Sequence, residues 1–402
     1  MTERICAITT MRNEGPFILE WIAYNRVIGV TDFLVYTNDC ADGTEALLDA
    51  LGPQAGVVRR GNPFRSDPEF ARKRIAPQFA ALKSAPEEPV VQQADWLMVL
   101  DVDEFIDIHA GDGRLADLRA AVPGADMISL TWRLFGNDGQ AHFEDAFVTE
   151  RFTRAARIRA PLPFMALGFK TLFRNAGLIA KLGVHRPKLA AGAAERLHWV
   201  NGSGRAMPAD YIEGGWKSSS RALGYELATL NHYAVRDCES FLVKRDRGRT
   251  NHDSQDQGLG YWVRMNHNAE TDTRIRRMLP ALRAEHARLC ADPAVAAAHR
   301  ASVDWHRRRI GELRAGPQGA ALLREIASAP LDMLSRSQAR IDMEFYRWIF
   351  RETADVLTRP PARAAMERFE GSDLRLGIEP SQDPDGFRLR LYAPRKRARR
   401  SR

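Results

Sequence analysis

The chain begins as a regular alternation of short apolar runs and amphipathic stretches. ICAITT (5–10) is apolar and β-branched and predicts a strand. In MRNEGPFILEWIAYNRVIGV, Phe17, Ile18, Trp21, Ile22 and Ile28 fall near helical spacing, with Asn13 as the cap and Gly29 at the stop. DFLVYTND (32–39) predicts a second strand, ADGTEALLDALG a helix from Asp42 to Gly52, and AGVVRR (55–60) a third strand. Such alternation predicts βαβ units around a parallel sheet. A helix over 68–83 and an APEEP loop lead into WLMVLDVDEFIDI (96–108), read as the fourth strand; a helix over 115–121 and strands over 127–134 and 147–153 follow. From Phe241 the pattern turns helical, with a last helical stretch near 337–358. The organisation expected is an α/β domain over 1–270, a helical extension over 271–375 and a flexible basic tail over 376–402.

Composition narrows the class. A length of 402 residues with 45% hydrophobic content suits a globular protein with a substantial core. Cys6, Cys40, Cys238 and Cys290 lie far apart, without a CxxC pair, and read as reduced thiols rather than a zinc site or a disulfide framework. No leader-like apolar region and no run of eighteen apolar residues is present, so a cytoplasmic location is expected. The formal charge is +8, and the last nine residues, PRKRARRSR, carry six basic groups. That tail suggests peripheral contact with the anionic inner face of a membrane.

The fourth strand carries the chemistry. Leu97 to Leu100 form a continuous apolar run, after which four acids fall within seven residues: Asp101, Asp103, Glu104 and Asp107. On an extended backbone Asp101 and Asp103 point the same way. Two carboxylates converging where a core strand surfaces suit a hard divalent cation with oxygen ligands. Glu104 and Asp107 read equally well as ordinary exposed acids. In open α/β sheets ligands bind beyond the carboxyl ends of the strands, where the polar clusters at 12–14, 38–42 and 101–104 all sit.

These motifs together resemble a bacterial group of family 2-like glycosyltransferases with the GT-A fold. The likeness is carried by N-E, E-W-I-x-Y and N-x-x-x-D-G-T in TTMRNEGPFILEWIAYNRVIGVTDFLVYTNDCADGT, by the D-x-D of VLDVDEFI, and by WRLFGNDG, ERFTR, GFKTLFR, GVHRP and LNHYAVRDCESFLVKRDRGR in order. It covers roughly residues 4–270. What it implies is a Rossmann-like mixed sheet and an inverting transfer of a sugar from a nucleotide-diphosphate donor, with Mn²⁺ or Mg²⁺ on the pyrophosphate. A glycan or lipid-linked acceptor in surface polysaccharide synthesis is part of the same expectation.

Residue by residue, the resemblance makes Asp103 the first metal ligand, with Asp101 acting through a metal water or on donor hydroxyls and His185 as a further ligand. Thr10, Arg12, Asn13 and Glu14 follow the first strand, and Asn38, Asp39 and Asp42 the second, where this fold holds the nucleotide. Asn13 and Asp42 read equally well as helix caps. Lys170, Lys244, Arg245 and Arg249 form a basic set for the departing diphosphate, joined by His232 as a phosphate contact. An inverting reaction needs a general base, for which Asp145 in FEDAF, Asp138 in FGNDG and Glu150 in ERFTR compete. Trp132, Trp199, Trp216 and Trp262 supply candidate platforms for an acceptor sugar ring.

Rival readings fare worse. A haloacid-dehalogenase-type phosphatase shares the hhhhDxD pattern, but wants Thr or Val where Phe105 stands and places the motif earlier in the chain. A nucleotidyltransferase needs a Gly-rich, Lys-bearing loop that MRNEGPF lacks. A basic nucleic-acid-binding protein rests on the tail alone, and no nucleic acid is expected. A donor-binding pseudoenzyme has the same sequence signature as an active transferase.

Overall fold

The structure is a computed structural model that describes residues 3–158, 168–216, 218, 221–248 and 258–328, together with strands at 375–380 and 387–392. Its first half runs β1 (Ile5–Met11), α1 (Gly15–Ile28), β2 (Asp32–Thr37), α2 (Thr44–Leu51), β3 (Val57–Gly61), α3 (Pro68–Lys73), α4 (Pro77–Ser84), α5 (Pro89–Gln92), β4 (Trp96–Val99), β5 (Glu104–Ile108), α6 (Leu115–Ala121) and β6 (Met127–Leu134). Next come α7 (Val148–Arg151), β7 (Arg154–Ala155), β8 (Phe169–Arg174), β9 (Ile179–Lys181), β10 (Lys188–Leu189), β11 (Trp199–Asn201), α8 (Asp210–Glu213), β12 (Ala228–His232), α9 (Cys238–Arg247), α10 (Leu259–Met265) and β13 (Glu270–Thr271). Helices α11 (Leu279–Cys290), α12 (Pro293–Ala315) and α13 (Pro317–Ser328) close this unit. In a separate unit, β14 (Arg375–Pro380) and β15 (Phe387–Tyr392) pair antiparallel. The helical pattern at 337–358 lies outside the described residues.

The main sheet has the order β3-β2-β1-β4-β8-β6-β12-β5, with β11 beside β6. β1 to β4 run parallel, β8 is antiparallel to both β4 and β6, and β12 is parallel to β6. The carboxyl ends of β1, β2, β4, β6 and β12 therefore share one edge. Strand β6 serves three partners, β8 at Met127–Thr131 and, on its other side, β11 at Met127–Ser129 and β12 at Trp132–Leu134.

Several sequence expectations are corrected. WLMVLDVDEFIDI is two strands: the chain turns at Leu100 to Asp103, where the Glu104 amide donates to the Asp101 carbonyl at 3.0 Å. The helix expected over 68–83 breaks at Arg74, whose φ of 50° is left-handed, and restarts at Pro77. The strand expected over 147–153 is the short helix α7, because Glu20 caps its first turn. The Glu20 carboxylate accepts from the Val148 amide at 2.7 Å, the Thr149 amide at 3.0 Å and the Thr149 hydroxyl at 2.8 Å.

The E-W-I-x-Y stretch of α1 is a clamp on β5. The Trp21 indole donates to the Glu104 carbonyl at 3.0 Å and the Tyr24 hydroxyl to the Ile106 carbonyl at 2.7 Å. Trp21, Tyr24 and Phe105 are buried together. A helix that reads as merely amphipathic thus positions the strand bearing the acids.

Helices α11 and α12 pack against α1, α12 also against α2 and α9, and α13 against α9 and α12. Ser302 of α12 comes so close to α1 and α2 that a Cβ on Gly15 would lie 2.5 Å from its hydroxyl, and one on Gly43 2.8 Å. His306 is buried between Phe17 and Phe143, 3.3 Å from the Ser240 hydroxyl. Burial, reinforced by the Arg236 and Arg247 charges, lowers its imidazole to about 3. The folded state thus excludes a proton that the unfolded chain takes near its ordinary value of 6.5. Stability from this residue is full above that value and is lost as pH falls toward about 3. Between pH 6.5 and 5 the loss is about 2 kcal/mol. Urea melts at the two pH values should show it in wild type and not in His306→Phe.

Candidate active site

Three strands and a helix deliver charged groups to the shared edge. The turn after β4 supplies Asp101 and Asp103, β12 ends in His232, β8 contributes Lys170, and α9 contributes Lys244. Because the chain turns here, the two aspartates do not lie on one extended strand as the spacing suggested. Asp101 has a side chain 37% exposed, whereas that of Asp103 is 9% exposed. The turn is held from both sides: the Tyr233 amide donates to the Asp103 carbonyl at 2.8 Å, and the Asp101 amide to the Glu104 carboxylate at 2.8 Å.

The charges divide into two groups. In the first, the Lys170 ammonium, 1% exposed, donates to Asp101 at 3.0 Å and pairs with Glu104 at 3.4 Å. Gln78 donates to the other Asp101 oxygen at 3.3 Å, and the Trp132 indole to Glu104 at 2.7 Å. Burial pushes the Glu104 carboxyl up, against the opposing Lys170 charge. In the second group, Lys244 donates to Asp103 Oδ2 at 2.6 Å and to the Ala234 carbonyl at 2.7 Å. His232 Nε2 stands 3.5 Å from Asp103 Oδ1. Burial opposes ionisation of Asp103, but Lys244 and His232 together hold its carboxyl well below the usual range.

Could this set hold a divalent cation? Two ligands at right angles on a small cation lie about 3 Å apart. The 3.5 Å gap between Asp103 Oδ1 and His232 Nε2 is close to that spacing and too long for a good hydrogen bond. Among the described residues, no three His, Cys, Asp or Glu side chains gather as a metal cage. The fit is therefore to a Mg²⁺- or Mn²⁺-type ion held by one or two protein groups, its other ligands being water and phosphate oxygens.

His185 stands beside this set, its ring 5.6 Å from that of Trp132. Its Nδ1 lies 3.1 Å from the Phe169 carbonyl, and its ring stacks on Trp216 at 4.3 Å. Burial and the nearby Lys170 charge lower it to about 3. Trp132 lies 4.7 Å from the His232 ring and 6.0 Å from Trp216, so two tryptophans and two histidines line one wall. Trp132, Trp199 and Trp262 are all buried, and Trp216 is the half-buried member of the four.

At the ends of β1 and β2 the residues separate into two kinds. Asp42 is structural: it accepts from the Gly15 amide at 2.7 Å and the Thr44 amide at 2.9 Å, so it tethers the starts of α1 and α2. Glu14 is buried in ion pairs with Arg236 and Arg247. Asn13 does not cap α1; at φ 51° its side chain accepts from the Ala41 amide at 2.7 Å. Asp39, also left-handed, pairs with Arg65 at 2.6 Å. The second kind is unsatisfied: the Thr10 hydroxyl, Arg12 Nε and the Asn38 carbonyl oxygen are buried without a hydrogen-bond partner. Buried polar atoms of this sort mark places where a ligand or water completes the bonding.

The three candidate bases each have a partner. Asp138, at φ 52°, accepts from the Thr153 amide at 3.0 Å and hydroxyl at 2.7 Å. Asp145 meets His299 of α12 at 3.3 Å, and Glu150 pairs with Arg283 of α11. Asp138 and Asp145 both lie in the loop that leaves β6 at Leu134, the register partner of His232, and Asp138 is the nearer of the two along the chain. Arg249 lies outside the described residues. Glu104 and Asp107, read as surface acids, are both buried. The roles of Glu104 and Glu20 went unread; an acid embedded in an apolar run was the available signal.

No family model matches the chain. It is similar to a glycosyltransferase family 92 protein of Oryza sativa subsp. japonica, 27% identical over 163 residues, or 39% of this chain and 25% of that protein. A family 92 protein of Ricinus communis is 30% identical over 115 residues, 28% of this chain and 18% of that protein. One from Arabidopsis thaliana is 29% identical over 102 residues, 25% of this chain and 16% of that protein. The matched segments cover a quarter or less of these relatives' own lengths. The likeness is thus to glycosyltransferases, through relatives named for family 92, and the mixed α/β sheet is consistent with a glycosyltransferase-like fold. Among the described residues no helix is long and apolar enough to cross a membrane.

Proposed function

We propose that this chain is a metal-dependent glycosyltransferase of GT-A type that moves a sugar from a nucleotide-diphosphate donor to an acceptor hydroxyl. The observation that carries the reading is Asp103 facing His232 at 3.5 Å where the turn after β4 meets the end of β12. In this reading the nucleoside lies over the ends of β1 and β2, where Thr10, Arg12 and Asn38 offer unsatisfied polar atoms. Asp103 and His232 would hold the cation, and Asp101, paired with Lys170 at 3.0 Å, would meet a metal water or a donor hydroxyl. A bound Mn²⁺ or Mg²⁺ neutralises charge on the pyrophosphate oxygens.

The acceptor oxygen forms a bond to the anomeric carbon while the bond from that carbon to the phosphate oxygen breaks. The electron pair leaves on the diphosphate, and the acceptor proton passes to a carboxylate. Asp138 is taken as the base because, of the three, it follows most closely the end of β6 that pairs with His232; attack from the opposite face inverts the anomeric centre. Half-buried Trp216, backed by His185 and Trp132, gives a ring-shaped acceptor a stacking surface, which suits a glycan or lipid-linked sugar. The basic 394–402 stretch would hold such an enzyme at an anionic membrane face.

Calorimetry with UDP-, GDP- and CDP-sugars, with and without Mn²⁺, tests the reading. Metal-dependent binding of one nucleotide class is the expected result; no heat from any member of the panel would overturn it.

A further inference from the structure

Resting on the metal-dependent reading, we infer that Lys244 is a tethered cation: it holds Asp103 in the free protein and moves onto the donor's diphosphate when donor and metal bind together. The two lysines at the site differ in a way that singles it out. Lys170 is enclosed on β8 with two carboxylates around it, and its 1% exposure leaves it no path to a ligand. Lys244 lies on the last turn of α9, with a side chain 11% exposed, on a flexible four-carbon stem. Its ammonium touches one carboxylate oxygen, one backbone carbonyl and, at 5.8 Å, the face of Tyr261.

Charge counting gives the consequence. A dication on Asp103 Oδ1 with the ammonium still on Oδ2 would set three positive charges against one negative charge in a mostly buried place. Such an arrangement is unfavourable until more negative charge arrives. A nucleoside diphosphate brings it, and the ammonium can then leave Asp103 for a phosphate oxygen. Metal alone should bind weakly, and metal and diphosphate should strengthen one another reciprocally. Lys244 would then touch the leaving group, the place where charge develops during transfer.

The experiment is an Mn²⁺ titration of the full chain followed by electron paramagnetic resonance, with and without UDP and GDP. Wild type, Lys244→Met, Lys244→Arg and Asp103→Asn are compared, with thermal melts to establish folding. The expected result is Mn²⁺ affinity at least ~10-fold tighter in Lys244→Met than in wild type without nucleotide, and a coupling to the diphosphate that shrinks by a similar factor. Lys244→Arg, which keeps a cation, should bind Mn²⁺ as weakly as wild type. Equal Mn²⁺ binding by wild type and Lys244→Met, lost in Asp103→Asn, would overturn the tether and leave the metal reading standing. Absence of Mn²⁺ binding in every folded variant, with or without nucleotide, would remove both.

Discussion

Asp103→Asn should abolish metal-dependent donor binding and lower turnover by about 10²–10³-fold or more, the range for deleting one group aimed at developing charge. The substitution removes the negative charge that Lys244 and His232 share but preserves the shape of the turn. The Asp103 carbonyl bond to the Tyr233 amide belongs to the backbone and persists. Calorimetry measures the binding, and release of nucleoside diphosphate measures the turnover. An Asp103→Asn protein that keeps metal-dependent affinity would move the cation to another group, with Asp101 next in line. Thermal melts separate this loss from unfolding, since the variant also leaves the Lys244 ammonium without its counter-charge.

Lys170→Met should be the most destabilising single change at the site. Its ammonium is the only described counter-charge within 4.0 Å of either Asp101 or Glu104. Removing it strands a buried carboxylate, an effect of about 3–5 kcal/mol. Glu104 is fully buried, so it would take up a proton in response, and Glu104→Gln should recover part of the loss. The check is a double-mutant cycle in urea. If the two changes add without interaction, the Lys170–Glu104 pair is not what holds the turn.

How much of this was legible beforehand depends on which interactions were local. The βαβ start was readable because apolar period and Gly stops are local signals, and β1 to α2 follow them closely. The break at Leu100 to Asp103 was not, because apolar Val102, Phe105 and Ile106 carry a strand-like pattern on past the acids; only the register between β12 and β5 shows that a second strand begins at Glu104. Asp103 as the leading acid was a sequence inference, and the structure supplies its partners. The histidine facing it is His232, since 47 residues separate it from His185 and spacing could not choose between them. The capping alternative for Asp42 was legible because its bond from Thr44 is local, whereas the Gly15 bond to Asp42 and the Arg236 and Arg247 partners of Glu14 come from other elements. Glu20 looked like an ordinary helix acid, because the amides it caps lie more than a hundred residues away.

The clamp of α1 on β5 has a consequence for how the folded molecule meets other chains. β5 ends the order of the main sheet, and an edge strand ordinarily offers its outward carbonyls as a template for another strand. Here the carbonyls of Glu104, Ile106 and Ile108 accept from Trp21, Tyr24 and Arg277 respectively. At the opposite end, β3 carries Arg59 and Arg60 in ion pairs with Asp49 and Glu88. The groups that tie the acids in place therefore also protect the sheet from edge-to-edge aggregation. A lesion such as Trp21→Ala would expose an adhesive edge at the same stroke as it loosens the site.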